Sequence, residues 1–306
     1  MKIIFFNHFH KGDLHAGKEY AKKLMREMPS GCTFGYLHNN PKKITDEYNV
    51  PYLGNPNHLD KHEPFYQHEN TLYLNTWMAN DWDIFCKHGG GNMHTLHEIW
   101  SDAYTAVNNF FNVSIDIGDD PAEYLTEIDY NKIEEPLKKN IHSFLDKHSN
   151  NKKVLLCNNR PLSNQSFISD MKDFVEKIAD EYTENIFICV QKFNTNRNNI
   201  FFTDDIIKEQ TGCDLYEISY LSTYCEYFVG KNSGPSTFCE TKKNLNDVTK
   251  KFLSFNLKNP SFDDIRESIA YNIKILAPYK LVPIENPNLN ERDRINIETE
   301  LFKLLG

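Results

Sequence analysis

Strands alternate with amphipathic helices along the chain, and the pattern starts again near Lys153. Together these predict an α/β protein with two parallel-sheet domains. The length of 306 residues agrees, being enough for two domains of ordinary size. With 40% apolar residues, each half can fill a core of its own.

In the first half, Lys2 to Phe6 read as a buried strand. His8, His10, Lys11 and Asp13 interrupt the apolar run too soon for a signal peptide. Leu14, Gly17, Ala21, Leu24, Met25 and Met28 recur at helical spacing and predict a helix from Leu14 to Met28. Thr33 to Leu37 and Thr71 to Trp77 read as strands, and Asp83 to Cys86 as a further short one. Between them, residues 39–70 are polar and rich in His, Asn and Pro. They read as an elaborated surface region, and connections of that length are often functional. A helix over 93–111 presents Leu96, Ile99, Trp100, Ala103 and Val107 on one face, and Leu137, Ile141, Phe144 and Leu145 mark another. The polar stretch His148 to Asn151 is the expected boundary, giving domains 1–148 and 149–285 and a last helical segment, 286–306. In the second half, strands are expected at 153–157, 186–190, 200–202, 227–229 and 251–255. Helices are expected at 167–182, 216–224, 262–273 and 291–305.

The net charge of −9 argues against a general nucleic-acid binder. No run of eighteen apolar residues is present, so no membrane span is expected, although peripheral association with a membrane stays open. Seven scattered cysteines without CxxC spacing fit reduced thiols in a cytoplasmic protein. Asp81-Trp82-Asp83 has the form of a metal-holding DxD pair, but such pairs arise often by chance, and no metal or other cofactor is expected. Gly89 to Gly91 make neither a Walker loop nor GxGxxG, which argues against a nucleoside triphosphatase or a nicotinamide enzyme.

The stretch from Tyr227 to Phe238 reads as a short strand, a tight polar loop and the first turn of a helix. Gly230 and Gly234 free the backbone, Pro235 suits a first helical position and Ser233 can cap it. Such a turn is a natural seat for phosphate, and equally an ordinary βα turn. Arg160, Gln191, Lys192 and Arg197 follow neighbouring strands and are placed at the same sheet edge, where they can meet an anion. Glu217 can bind ribose hydroxyls or simply favour a helix start. At the end of the first strand, Asp13 can take a proton from an acceptor hydroxyl or cap the next helix. His8, His10 and His15 lie close by as base or sugar contacts; as metal ligands they lack a second cluster.

The run Asp214 to Leu221, followed by Cys225-Glu226-Tyr227-Phe228-Val229-Gly230-Lys231-Asn232-Ser233-Gly234-Pro235, resembles the donor-site segment of GT-B glycosyltransferases, most closely the heptosyltransferase-like enzymes. GT-B fucosyltransferases carry a related segment, and Gly12-Asp13 is similar to the family's opening Gly-Asp pair. The resemblance implies two Rossmann-like domains facing a cleft, with the C-terminal helix crossing back to the first domain. It implies a nucleotide-sugar donor on the second domain and a glycan or lipid-linked acceptor on the first. Transfer would be inverting and metal-independent, with Asp13 as base. The donor would be held by Asn232, Ser233, Gly234, Pro235, Ser236 and Thr237, with Arg160, Lys192 and Glu217 beside them. Asn232 stands where the family has Asp, and Ser236-Thr237-Phe238 where it has a His, which leaves the donor sugar open. A non-catalytic glycan- or nucleotide-binding protein and a sugar-nucleotide epimerase of the same fold are the alternative readings.

Overall fold

The computed structural model describes residues 1–9, 11–77, 96–160, 166–209, 213–231, 233–257 and 276–306. Among these, contacts divide the chain into one unit of Met1–Thr126 and a second of residues 127–306. The DxD pair, the Gly-rich run, the strand expected at 83–86 and the helix expected at 262–273 lie outside the described residues.

The first unit has a four-stranded sheet of β1 (Lys2–Asn7), β2 (Thr33–His38), β3 (Phe65–His68) and β4 (Thr71–Asn75). Its order is β2-β1-β4-β3, with β1 parallel to both neighbours and β3 antiparallel to β4. Alternate residues of β1 point to opposite faces: Ile4 and Phe6 pack with Leu37, while Phe5 meets Tyr36 and Trp100. The helix expected from Leu14 is two, α1 (Lys11–Ala16) and α2 (Lys18–Glu27), meeting at Gly17. The ladder continues through Gly17, whose N–H donates to the Asp13 carbonyl. A Cβ there would lie 2.9 Å from the Trp100 ring of α3 (Leu96–Phe111), so glycine lets the two helices approach.

The polar region after β2 is more anchored than its composition suggests. A 3₁₀ helix, Lys42–Tyr48, buries Ile44, Thr45, Glu47 and Tyr48. The Glu47 carboxylate pairs with Lys18 of α2 inside the unit, and the Tyr48 hydroxyl donates to the Leu14 carbonyl of α1.

His15 is 1% exposed. Burial first, then Lys18 and Lys22, hold its imidazole well below the usual histidine range. The unfolded chain binds that proton near pH 6.5 and the folded chain does not. Stability is therefore complete above about pH 6.5 and falls below it, by up to about 1.4 kcal/mol per pH unit. We expect the Tm to drop between about pH 7 and 5, and His15→Leu to flatten that slope; an unchanged slope would place the titration elsewhere.

The second unit is built on six parallel strands: β5 (Lys153–Cys157), β6 (Ile186–Cys189), β7 (Ile200–Phe202), β8 (Tyr227–Lys231), β9 (Lys251–Leu257) and β10 (Tyr279–Ile284). Their order, β10-β9-β8-β5-β6-β7, is that of a doubly wound Rossmann sheet. α4 (Glu135–Lys147), α5 (Lys172–Glu181), α6 (Thr203–Ile207), α7 (Leu215–Ser222), α8 (Gly234–Cys239), α9 (Lys242–Leu245) and α10 (Glu291–Leu305) complete it.

The division at Thr126 precedes the one expected at 148, because α4 belongs to the second unit. Its Asn140 donates to the Ile207 carbonyl at 3.1 Å, and Phe144 meets Phe201 edge-on. Within the second unit, α10 buries Ile297, Leu301 and Leu305 in the core with Val175 and Ile178 of α5. Lys177 pairs with Glu298 at 2.6 Å, and Asp293 accepts from the Glu285 and Asn286 amides at 2.9 Å each. These bonds fix the helix where it turns back onto its sheet.

Candidate functional site

In open parallel sheets a ligand site forms beyond the carboxyl ends of the strands, where the strand order reverses. In the second unit that point lies between β5 and β8. These strands approach closely: a Cβ on Gly230 would lie 2.8 Å from that of Cys157, its register partner. Beyond them the two loops are tied together, the Ser233 hydroxyl donating to Asn159 Oδ1 at 3.0 Å. Asn158 exchanges two hydrogen bonds with the Gln191 backbone, at 2.9 and 2.8 Å, and the Arg160 amide donates to Gln191 Oε1 at 3.0 Å. The Arg160 side chain is exposed at this edge. Arg160, Ser233, Gly234, Pro235, Ser236 and Thr237 therefore sit at one switch point, as their sequence positions suggest; Asn232 lies outside the described residues.

The first turn of α8 is more self-contained than a bare helix end. Ser233 and Ser236 form a reciprocal capping box, and Thr237 donates its hydroxyl and its amide to the Ser233 carbonyl. Pro235 has no N–H. That leaves the Gly234 amide without a hydrogen bond among the described residues, so an anion here depends on side-chain cations as well.

Three other candidates have different surroundings. Lys192 is exposed and paired with Asp205 at 2.6 Å. Arg197 forks onto Asp180 at 3.0 and 2.8 Å and reaches Glu176 at 3.2 Å, which turns it toward α5. Glu217 is fully buried in the first turn of α7 and presents no surface to a ribose. It acts on the interior instead: Asp214 beside it is pushed up by burial, and further by the charges of Asp204, Glu217 and Glu209. Lys231, unremarked as a lysine in the sequence reading, closes β8 at 1% exposure. A charged residue inside an apolar strand was the available signal.

In the first unit the strand order reverses between β1 and β4. Asn7 Nδ2 reaches Thr76 Oγ1 at 3.4 Å across that point, and the Thr76 amide donates to the Phe6 carbonyl. Asp13 is the third residue of α1, not its cap, and is 6% exposed. Its charge reaches Tyr36, whose phenol is pushed up by burial first and by Asp13 in addition. The Tyr36 hydroxyl bonds Thr76 Oγ1 at 2.5 Å. Asp13 is thus within electrostatic reach of the Tyr36–Thr76 pair. His8, half-buried at the same edge, is held below its usual pKa by burial against the pull of Asp60. His15 is a core residue with no surface for an acceptor, because it lies on the inner face of α1; His10 is outside the described residues. Phe9 and Trp77, with ring centres 4.5 Å apart, also lie near this edge and were not singled out in the sequence.

Among the described residues no group of three His, Cys, Asp or Glu could hold a metal ion, and no helix is long and apolar enough to cross a membrane. The six described cysteines are free thiols.

This pair of sheets, with a Rossmann order in the second, defines a two-unit α/β protein. No family model matches the chain, and no curated protein is similar to it in sequence. Solved structures are similar to it in fold. Escherichia coli heptosyltransferase WaaC with ADP-2-deoxy-2-fluoro heptose is similar over 99% of this chain and 99% of its own, with a TM-score of 0.52 at 5% identity. The same enzyme with ADP covers 99% and 98%, with a TM-score of 0.50 at 6% identity. UDP-GlcNAc 2-epimerase from Neisseria meningitidis bound to UDP-GlcNAc covers 99% and 100%, with a TM-score of 0.43 at 12% identity. The chain has the GT-B fold of the heptosyltransferases.

Proposed function

We propose that the protein is a glycosyltransferase that moves a sugar from a nucleotide-sugar donor to a hydroxyl of a glycan or lipid-linked acceptor. The observation that carries this reading is that β8 and the Ser233–Phe238 turn lie at the switch point of a Rossmann sheet, in a fold shared with a heptosyltransferase solved with an ADP-heptose analogue. Fold alone does not fix function. Support comes from the residues at the two sheet edges.

In the proposed mechanism the donor diphosphate lies at the β5–β8 edge. Arg160 and the Gly234 amide take up the charge that grows on the leaving oxygen, without a metal. The acceptor lies at the β1–β4 edge, where Asp13 accepts the proton of the attacking hydroxyl. The new bond forms between that oxygen and the anomeric carbon as the bond to the diphosphate breaks. Attack from the opposite face inverts the anomeric centre.

Product analysis with a panel of nucleotide sugars and glycan acceptors tests the reading. Release of nucleoside diphosphate with a new glycosidic bond is the expected result. An epimerised nucleotide sugar with no transfer would make the protein an epimerase, and binding without turnover would make it a lectin-like or nucleotide-binding protein.

A further inference from the structure

Lys231 has no part in the mechanism above, yet it is enclosed at the end of the strand that leads into the donor site. It lies on the sheet face of Tyr227 and Val229, by the alternation of β8. Its ammonium donates to the Ser169 carbonyl at 2.7 Å and lies 4.5 Å from the centre of the Phe167 ring. Residues 166–171 around these partners are seated on the sheet. Phe167 and Met171 are fully buried, Ser166 Oγ donates to the Phe255 carbonyl of β9 at 2.8 Å, and the Ile168 amide donates to the Pro287 carbonyl. The same β5–α5 connection opens with Asn159 and Arg160, which are bonded to Ser233 and Gln191.

A buried lysine is costly, and a methionine would fill the same space without that cost. What the ammonium adds is a charged bond that fastens one end of the connection whose other end carries Arg160. We infer that Lys231 is a positioning residue: it holds residues 166–171 on β8 and thereby keeps Asn159 and Arg160 at the switch point in the geometry that binds a nucleoside diphosphate. The ligand part of this inference rests on the donor-site reading above.

The clamp has a pH limit. Burial, opposed by Asp170, brings the Lys231 ammonium down to about 8. Asp170, on the clamped segment itself, is the charged side chain whose field reaches it among the described residues. The ammonium is present below that pH and lost above it, so the clamp weakens in alkali.

The test compares the whole wild-type protein with Lys231→Met, by hydrogen exchange and by titration with ADP and UDP. In the variant, exchange of the 166–171 amides is expected to rise about tenfold. Affinity for whichever diphosphate the wild type binds is expected to fall roughly 10- to 100-fold. Wild-type affinity should decline between about pH 7 and 9, and the variant's should not. Exchange and affinity equal to wild type in a folded variant overturn the inference. If the variant does not fold, the wild type alone decides. Protection of 166–171, corrected for intrinsic exchange, should fall as pH rises through about 8, and protection constant over that range overturns the inference. A wild type that binds neither ADP nor UDP counts against the donor-site reading, and the exchange data still decide Lys231.

Discussion

Asp13→Asn is expected to lower kcat by about 10²- to 10⁴-fold while donor affinity stays within about twofold. The substitution keeps the shape of the side chain and removes its ability to accept a proton. Asp13 is 6% exposed in the first turn of α1, and an isosteric amide keeps its volume there. The measurement is steady-state transfer alongside donor titration and a melting curve. Transfer within tenfold of wild type, in a variant that melts normally, would move the base to another residue.

The second large effect concerns the fold. Glu47→Ala removes the nearer carboxylate from the Lys18 ammonium, which is 1% exposed and lowered in pKa by burial despite Glu47, and leaves it the Glu19 carboxylate at 3.7 Å. Removing one member of a buried ion pair costs about 3–5 kcal/mol. Urea denaturation should show that loss, and the double change Lys18→Met with Glu47→Leu should recover most of it, since an apolar pair of similar volume carries no desolvation cost. A loss of under about 1 kcal/mol would mean that Glu19, 3.7 Å away, or water takes over the Lys18 charge. Because this pair joins α2 to the 3₁₀ helix after β2, the result also tells whether that polar region is part of the folded unit.

The strands were legible because their apolar β-forming runs are short and bounded by polar turns. β5, β7 and the start of β8 stand where the residues place them. The order of the six strands was not legible, since register between distant segments leaves no local trace. The amphipathic face of α10 was visible, but a face does not say which sheet it covers, and Val175 and Ile178 of α5 complete it. Site residues divide the same way. Ser233 and Arg160 could be placed by following strand ends. The pairing of Lys192 with Asp205, the enclosure of Glu217 and the burial of His15 depend on partners and burial that spacing does not encode. Gly17 was counted as an apolar-face position; its reason is the Trp100 ring, far along the chain.

A melting curve of the whole protein against nucleoside diphosphates and nucleotide sugars tests the donor site most directly. At a ligand concentration about a hundred times Kd, the Tm should rise by roughly 5–10 °C for at least one nucleotide. Arg160→Ala should reduce that rise, because its side chain is exposed at the β5–β8 edge. No shift with any nucleoside diphosphate or nucleotide sugar at millimolar levels would contradict a nucleotide-sugar-dependent transferase.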